Sequence, residues 1–323
     1  MSLQSRWFLL LNPTADRGRS LHDYPAISRL LREANVAFEP AFAEHKSHAV
    51  ELTVKAVNEG YRKIIIIGGD GTLHEVVNGL FIQQSCQPNE VLLALIAVKS
   101  ESDWLRSYGT PASYQEAVAA IAAGCSMLQD VGVVSYQESH YKQKRYMANV
   151  AGVGFGAFVT QRFSHLRNKG ATHPWRYGWN LVRAFFRYKP TGVKVWLDGE
   201  LIYNNLLMGM AVGVCKYNGR GMQLLPDAIA DDGLLDLSLV RPIYIWNILF
   251  RLRYLFDGNV YKIGHVIKAR GHNVRIESIP DAPLEVDGEM IGDTPLEFNI
   301  LPRAIQVVVS QEFYHDNSQL RSL

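Results

Sequence analysis

The sequence predicts a two-domain protein: an α/β domain with a parallel sheet over residues 1–129, followed by an antiparallel β-sandwich over residues 130–323. Two patterns predict this fold class. Apolar runs and helical patterns alternate in the first part, whereas short strand-like segments separated by turn residues dominate the second. The length of 323 residues suits two ordinary domains, and 48% hydrophobic with 20% charged residues is typical of globular chains.

Four apolar runs separated by helical patterns predict the sheet of the first domain. The run Ile64–Ile67 is β-branched throughout and bounded by glycines, which indicates a central strand buried on both faces. Strands and helices in this alternation form parallel sheets with right-handed crossovers. The predicted strands are Trp7–Leu11, Val36–Phe42, Ile64–Ile67 and Val91–Val98, and the predicted helices are Ile27–Ala34, His48–Asn58 and Leu73–Leu80.

The second domain is predicted from seven short strands and two helical insertions. Many short strands with few helices favour an antiparallel sandwich or barrel. The predicted strands are Val131–Tyr136, Tyr146–Val150, Gly192–Leu197, Leu206–Val214, Leu235–Val240, Val274–Ile279 and Ala304–Val309, and the predicted insertions are Trp175–Tyr188 and Tyr244–Leu255.

Composition excludes several classes of protein. A formal net charge of +2 does not favour nucleic acid as a partner. Cys86, Cys125 and Cys215 form no CxxC pair, so we expect neither a disulfide framework nor a zinc site. No apolar run approaches the roughly 20 residues that span a bilayer, and Met1–Arg6 shows no secretory signal. We therefore expect a cytoplasmic protein that is soluble or peripheral on the inner face of the membrane.

The stretch Gly68-Gly69-Asp70-Gly71-Thr72 between a predicted strand and a predicted helix is the most informative motif. Glycines allow backbone N–H groups to approach a polyphosphate, and the helix that follows directs its positive end to the same place. Asp70 would repel a bare phosphate, which suggests a metal bridge or a contact with a hydroxyl group. A tight strand-to-helix turn with an incidental acid is the alternative interpretation.

The longer stretch Gly68–Leu80 resembles the signature of the diacylglycerol kinase and sphingosine kinase catalytic family. Three further stretches agree in the same order, and the resemblance extends from Asn12 to about Val309. They are Asn12-Pro13 followed by Arg17-Gly18-Arg19, Pro226–Asp236, and Val286–Glu289. The resemblance implies an NAD kinase/diacylglycerol kinase-like fold and ATP- and Mg²⁺-dependent transfer of phosphate to a lipid hydroxyl. The nucleotide-binding residues that it implies are Asn12, Gly68, Gly69, Asp70, Gly71, Thr72, Ser100 and Asp103.

Four carboxylates crowd the stretch that resembles the family's metal-site loop. Asp227, Asp231, Asp232 and Asp236 would repel one another unless a cation offsets them, and hard oxygen ligands suit Mg²⁺ or Ca²⁺. A solvated acidic loop is the alternative interpretation. The resemblance implies a Mg²⁺ site formed by the side chain of Asp232 and the backbone carbonyls of Ile229 and Leu234, with a second Mg²⁺ bound to ATP.

Asp287-Gly288-Glu289 is either an ordinary hairpin turn or part of the catalytic machinery, since Asp-Gly is a strong turn signal. Phosphoryl transfer needs a group that orients or deprotonates the attacking alcohol. The resemblance implies that Glu289 accepts this proton, supported by Asp287 and Asp70.

The stretch Ala97–Asp103 departs from the family pattern Pro-x-Gly-Thr-Gly-Asn-Asp. Asp103 and the later Arg106 keep the expected residue type, and Ser100 supplies a hydroxyl in place of threonine. Both glycines are replaced, Glu101 adds a negative charge, and Lys99 offers a compensating phosphate contact. Loss of one well-placed donor lowers a rate by about 10²- to 10³-fold, so a homologue that binds lipid or nucleotide without turnover is a second hypothesis.

The sequence leaves the acceptor lipid open. A diacylglycerol, phosphatidylglycerol, a polyprenol and a sphingoid base are all candidates, and Gly152–Gly156 resembles a family stretch that lines the lipid site. NAD kinase is a third hypothesis, since that family shares Gly-Gly-Asp-Gly-Thr, but Asp287–Glu289 and Asp227–Asp236 fit lipid kinases better.

The segment Trp175–Lys189 predicts contact with a membrane surface. On a helix, three arginines lie beside an apolar stripe, which suits an anionic bilayer. An ordinary packed helix with a solvated basic edge is the alternative. The arginines are Arg176, Arg183 and Arg187, and the stripe is Trp175, Trp179, Val182 and Phe186. A homodimer is one candidate for the oligomeric state.

Overall fold

The computed structural model describes residues 3–98, 102–109, 113–138, 141–167, 183–246 and 251–320. The chain forms two compact units. Unit 1 comprises Met1–Val131 together with Pro302–Leu323, and unit 2 comprises Gly132–Leu301. The α/β and β-sandwich classes predicted from the sequence are confirmed. Residues 302–323, which the sequence assigned to the second domain, belong instead to the first unit.

Unit 1 is built on a parallel sheet. Its order is β17–β4–β3–β1–β2, and each neighbouring pair is parallel. The strands are β1 Trp7–Leu11, β2 Phe38–Phe42, β3 Lys63–Gly68, β4 Leu92–Ala97 and the end of β17 Glu289–Val308. The helices are α1 Arg19–Glu33, α2 His48–Asn58, α3 Asp70–Ile82, α4 Asp103–Arg106, α5 Tyr114–Ala123 and α7 Gln311–Leu320.

The core of unit 1 lies along the strands that the apolar runs predicted. All four side chains of Ile64–Ile67 are fully buried, as expected for a central strand. The predicted strand Ala304–Val309 does not belong to a sandwich. Gln306 and Val307 pair in parallel with Leu92 and Leu93 of β4, so the returning chain adds an edge strand to the parallel sheet.

Unit 2 is antiparallel. One path runs β14–β13–β10–β7–β16–β17, and β15, β8 and β9 extend from β17. The remaining strands of the chain are β5 Ser126–Glu138, β6 Tyr141–Met147, β7 Val150–Gly154, β8 Thr191–Leu197, β9 Glu200–Leu207, β10 Gly209–Gly213, β11 Tyr217–Asn218, β12 Met222–Gln223, β13 Leu235–Val240, β14 Val266–Gly271, β15 Asn273–Ile279 and β16 Pro283–Val286. Helix α6 spans Phe155–Arg167.

Two predicted strands of unit 2 are each divided in the structure. The predicted strand Tyr146–Val150 is the end of β6 and the start of β7, and Leu206–Val214 contains the end of β9 and all of β10. Within the predicted insertion Trp175–Tyr188, residues 175–182 lie outside the described part, and residues 183–187 are helical. Among the described helices, none is long and apolar enough to cross a membrane.

Candidate active site

The phosphate loop predicted from the sequence joins β3 to α3. Gly68 ends β3, Gly69 is extended, and α3 begins at Asp70, so that Gly71 lies in its first turn. A Cβ on Gly68 would lie 2.6 Å from Thr72 Oγ1, whereas a Cβ on Gly69 would meet no atom within 4 Å. Gly69 therefore faces open space at the positive end of a 13-residue helix, where an anion is favoured.

Asn12 connects the end of β1 to this loop. Its Nδ2 donates a hydrogen bond to Thr72 Oγ1 at 3.2 Å. Its Oδ1 accepts from the backbone N–H and the hydroxyl of Thr14 at 3.1 and 2.9 Å. The structure thus brings Asn12 and Thr72 together, two of the residues that the resemblance assigned to the nucleotide.

A left-handed run of backbone follows Asn12. Asp16, Arg17 and Gly18 have φ values of 45°, 62° and 87°. For the two non-glycine residues this conformation costs about 1–2 kcal/mol each. Strain of this kind concentrates at functional sites, and backbone N–H groups in such turns form concavities that bind anions. The run immediately precedes α1, which begins at Arg19.

The Asp70 side chain joins α3 to α4. Its Oδ1 accepts a hydrogen bond from the Ser102 hydroxyl at 2.5 Å, and its Oδ2 accepts from the Asp103 backbone N–H at 2.9 Å. Ser102 Oγ also accepts from the Leu105 N–H at 3.1 Å, which caps α4. Asp70 therefore positions the start of α4.

A buried glutamine anchors α4. Gln129 Oε1 accepts hydrogen bonds from the Trp104 indole at 2.9 Å and from the Tyr108 hydroxyl at 2.6 Å. Trp104 and Gln129 are fully buried. Because both donors converge on one oxygen, the helix that carries Asp103 is held rigidly. The neighbouring Arg106 Nε lies 4.0 Å from Asp103 Oδ1.

The altered family stretch is held at its N-terminal end as well. The Tyr114 hydroxyl lies 3.1 Å from the carbonyl oxygen of Val98 and 2.8 Å from Asp23 Oδ2. Burial and the Asp23 hydrogen bond raise the pKa of Tyr114 to about 12. Hydrogen bonds from His22 and Tyr114 lower the pKa of Asp23 to about 2. Lys99–Glu101, which includes the predicted nucleotide residue Ser100, lies outside the described residues.

In unit 2, Asp287 organises the turn predicted to carry the catalytic acids. Asp287 and Gly288 have φ values of 50° and 85°, as in a two-residue hairpin turn, and Glu289 begins β17. The Asp287 carboxylate accepts the backbone N–H groups of Ala148, Asn149 and Val150 at 2.9, 3.0 and 3.2 Å. Its oxygens thus hold the segment that joins β6 to β7, which makes Asp287 a positioning residue.

Asn149 has a buried oxygen with no hydrogen-bond partner among the described residues. Its Nδ2 donates to the carbonyl oxygen of Tyr217 at 3.0 Å, which fixes the orientation of the amide. The other amide atom, Oδ1, is buried and unsatisfied, in a residue that is only 3% exposed. An unpaired buried acceptor of this kind costs about 1–3 kcal/mol.

The acidic loop meets two cationic side chains. Arg270 Nε lies 2.8 Å from Asp236 Oδ1, and an Arg270 amino group also contacts Asp232 Oδ2. Lys268 Nζ lies 3.1 Å from Asp227 Oδ2. Burial raises the pKa of Asp236, and the charge of Arg270 opposes this shift. The predicted Mg²⁺ ligand Asp232 is therefore occupied by a guanidinium, and the residues present do not fit a dedicated divalent ion.

Comparison with known families accounts for most of the chain. The family model described as diacylglycerol kinase catalytic domain matches residues 6–134. The model described as YegS C-terminal NAD kinase beta sandwich-like domain matches residues 149–309. The chain belongs to the diacylglycerol kinase family. The family resemblance inferred from the sequence motifs is thereby confirmed.

Curated relatives align over nearly the whole chain. A diacylglycerol kinase of Staphylococcus carnosus is 26% identical over 317 residues, covering 96% of this chain and 97% of the relative. A diacylglycerol kinase of Staphylococcus epidermidis is 26% identical over 321 residues, covering 97% and 95%. At this identity the family is shared, and the acceptor of the present member is a separate question.

Solved structures share the fold. A crystal structure of a diacylglycerol kinase from Bacillus anthracis superposes with a TM-score of 0.71 at 19% identity, covering 96% of this chain and 98% of that one. Yeast NADH kinase in complex with NADH gives a TM-score of 0.52 at 10% identity, covering 98% and 88%. These likenesses establish the architecture of the diacylglycerol kinase and NAD kinase type.

Sequence reasoning missed four residues that contact or lie beside the predicted site residues: Ser102 and Gln129 in unit 1, and Asn149 and Arg270 in unit 2. Ser102 carried a local signal, because a serine before a short helix is a common N-cap. The other three carried none. Arg270 is recognised only once β13 and β14 are known to pair, since their register sets it opposite Asp236.

Proposed function

We propose that this member of the diacylglycerol kinase family is an ATP-dependent lipid kinase, which transfers the γ-phosphoryl group of ATP to the hydroxyl of a diacylglycerol-like lipid. One observation carries the nucleotide part of the proposal. Gly69 faces open space at the start of α3, flanked by the Asn12–Thr72 hydrogen bond and by the Asp70 carboxylate that holds α4. The names of the curated relatives support a diacylglycerol as the first acceptor to test.

Unit 1 supplies the groups for the nucleotide. Backbone N–H groups at the start of α3 would bind phosphate oxygens, and the helix dipole would favour their negative charge. A Mg²⁺ ion carried by ATP would offset charge on the transferring phosphoryl group. Asp70 positions α4 and with it Asp103, so that the walls of the phosphate site are set before the ligand binds.

Unit 2 supplies the groups for the acceptor. Glu289 would accept the proton of the lipid hydroxyl while the hydroxyl oxygen forms a bond to the γ-phosphorus of ATP. The bond between that phosphorus and the bridging oxygen breaks, and ADP leaves with the electron pair.

The test is a phosphoryl-transfer assay with labelled ATP and Mg²⁺ on the full chain. The acceptors are a diacylglycerol, phosphatidylglycerol, a polyprenol and a sphingoid base in mixed micelles, together with NAD. We expect a labelled glycerolipid, and a loss of about 100-fold or more in kcat for Glu289→Gln. Glu297→Gln is the control, because Glu297 lies on the same strand, is half-buried and contacts Lys142. Labelled NAD with unlabelled lipids would contradict the proposal.

The changed stretch Lys99–Glu101 favours a second candidate function, that of a homologue that binds lipid or nucleotide without turnover. Calorimetry with ATP and Mg²⁺ separates the two. Binding by the natural chain, weakened in Asp70→Ala and accompanied by phosphoryl transfer in the assay above, supports the kinase. The same binding without transfer supports a homologue that binds nucleotide without turnover. Binding only after Lys99-Ser100-Glu101 is replaced by Gly-Thr-Gly supports the second candidate.

A membrane surface is the proposed location of the acceptor. Within residues 183–187, Arg183 and Arg187 are exposed, and Phe186 is 71% exposed. Exposed aromatic and arginine side chains on one helix suit the headgroup region of an anionic bilayer. Arg176 and the tryptophans of the same predicted helix lie outside the described residues.

A further inference from the structure

Strand pairing sets a buried carboxylate directly opposite an arginine in unit 2. Asp236 of β13 and Arg270 of β14 are partners in the antiparallel register. Arg270 Nε lies 2.8 Å from Asp236 Oδ1, and its amino group donates to Oδ2 at 3.2 Å. This is the two-point geometry in which a guanidinium binds a carboxylate most strongly. Asp236 is only 2% exposed, so its charge depends on this partner.

The same guanidinium reaches a second acid of the loop. An Arg270 amino group contacts Asp232 Oδ2, and Asp232 Oδ1 accepts the Leu234 N–H at 3.1 Å. Both oxygens of Asp232 are therefore engaged within the protein. The backbone of Leu234, whose carbonyl was a predicted metal ligand, is held by the same carboxylate through its N–H group.

A second cation continues the pattern along β14. Lys268 precedes Arg270 by two residues, so both side chains lie on the same face of the strand. Lys268 Nζ contacts Asp227 Oδ2 at 3.1 Å. The two cations thus contact three of the four carboxylates that the sequence suggested as a metal site.

We infer that Arg270 is the organising cation of the loop Asp227–Asp236, in the place of the divalent ion that the family resemblance implied. A metal ion bound to Asp232 would share the carboxylate with the Arg270 guanidinium. Two positive charges that contact one carboxylate repel each other strongly. Unit 2 is then organised without a divalent metal. The inference does not depend on the proposed kinase activity.

The test uses Mn²⁺ alone as a probe of the nucleotide-free full chain, with free Mn²⁺ measured by electron paramagnetic resonance. We expect the Asp232→Asn variant to bind as much Mn²⁺ as the natural chain, because the natural chain has no metal site at this residue. Arg270→Ala should create one Mn²⁺ site per chain, and Asp232→Asn in the Arg270→Ala background should abolish it. Lys268→Ala is the matched control, since it removes the exposed pair and leaves Arg270 in place.

Thermal unfolding provides an independent readout. The midpoint of the natural chain should be the same with EDTA as with Mg²⁺. Arg270→Ala should lower it by about 5 °C or more in EDTA, because a buried carboxylate loses its partner, and Mg²⁺ should restore part of the loss.

Either of two results for the natural chain would overturn the inference: a Mn²⁺ site that Asp232→Asn removes, or a midpoint that falls in EDTA and recovers with Mg²⁺. An Arg270→Ala chain with an unchanged midpoint and no new site would also overturn it. If Arg270→Ala does not fold, the measurements on the natural chain and on Asp232→Asn still decide.

Discussion

The Ser102 hydroxyl donates a hydrogen bond to Asp70 Oδ1 across 32 residues of sequence. The same oxygen of Ser102 accepts the N–H of Leu105, so one side chain both caps α4 and orients the carboxylate beside the phosphate loop. Ser102 stands where the family pattern has asparagine. These contacts hold the Asp70 carboxylate beside the N-terminal end of α4.

Removing this hydroxyl should weaken nucleotide binding more than it weakens the fold. Ser102→Ala is expected to lower ATP affinity by about 10-fold, as one charge-assisted hydrogen bond is lost. Ser113→Ala is the matched control, because Ser113 caps a different helix, α5, through the Glu116 N–H. Calorimetry and thermal unfolding of both variants measure the two effects. Equal ATP affinities in the two variants would rule out the role of Ser102 at the site.

Alanine substitution at Gly69 should weaken ATP binding, whereas alanine substitution at Gly68 should lower stability. Gly69 has extended dihedrals and open space around its Cβ position, so Gly69→Ala should fold normally yet bind ATP at least about 10-fold more weakly. Gly68→Ala should destabilise the chain instead, because the new Cβ would lie 2.6 Å from Thr72 Oγ1. Unfolding midpoints and ATP titrations separate the cases, and undiminished ATP binding by Gly69→Ala would contradict the proposed phosphate site.

Substitution of Asp287 should lower the stability of the protein, whereas substitution of Glu289 should lower its turnover. Asp287→Asn replaces one oxygen that accepts backbone N–H groups with an amide donor, so we expect about 2–3 kcal/mol of destabilisation. Glu289→Gln should leave the unfolding midpoint within a degree or two while it lowers kcat. Urea unfolding and steady-state rates of the two variants give the comparison. A fully stable Asp287→Asn would show that the three N–H contacts do not hold the turn.

The stability contributed by Asp23 should disappear in acid. Its pKa in the folded protein is about 2, below its ordinary value of 3.8. Between these values the unfolded chain binds more protons, so stability falls as the pH falls through this window. Asp23→Asn should therefore be less stable than the natural chain at pH 7, and the difference should narrow from about pH 5 to pH 3. Urea unfolding at several pH values is the measurement, and a constant difference would contradict the assignment.

Phe186 should affect membrane binding without affecting the fold. Because its side chain is largely exposed, Phe186→Ala should leave the unfolding midpoint unchanged. Sedimentation with phosphatidylglycerol vesicles should recover several-fold less of this variant than of the natural chain, and neutral phosphatidylcholine vesicles should recover little of either. Leu206→Ala, another exposed apolar residue of unit 2, is the control. Recovery of Phe186→Ala equal to that of the control would argue against the proposed surface.

Local patterns in the sequence were sufficient for much of the fold. The isoleucine run Ile64–Ile67 predicted a buried central strand, because a continuous run of β-branched apolar residues bounded by glycines is typical of a strand buried on both faces of a parallel sheet. The return of Gln306 and Val307 to the parallel sheet was missed, since the strand order of a sheet is set by distant pairing that local periodicity does not contain.

The candidate site divides in the same way. Gly68–Thr72 was found from five adjacent residues between a strand and a helix, but α3 begins at Asp70, three residues before the predicted start at Leu73. Ser102 and Arg270 were missed because their functions depend on carboxylates 32 and 38 residues away in the chain. Asp287 was expected to support Glu289 among the catalytic acids, and the three N–H groups that its carboxylate accepts are contacts that only the folded backbone reveals.

The edge strand that completes the first sheet comes from the far end of β17, so unit 1 is not a continuous segment of chain. During translation, the ribosome must synthesise all of unit 2 before that strand emerges. At about 5–20 residues per second this delay is roughly ten seconds or more. Throughout that interval the nascent sheet exposes the edge of β4, whose unpaired N–H and C=O groups can pair with another chain. We therefore expect the segment 1–131 expressed alone to aggregate unless residues 302–323 are supplied.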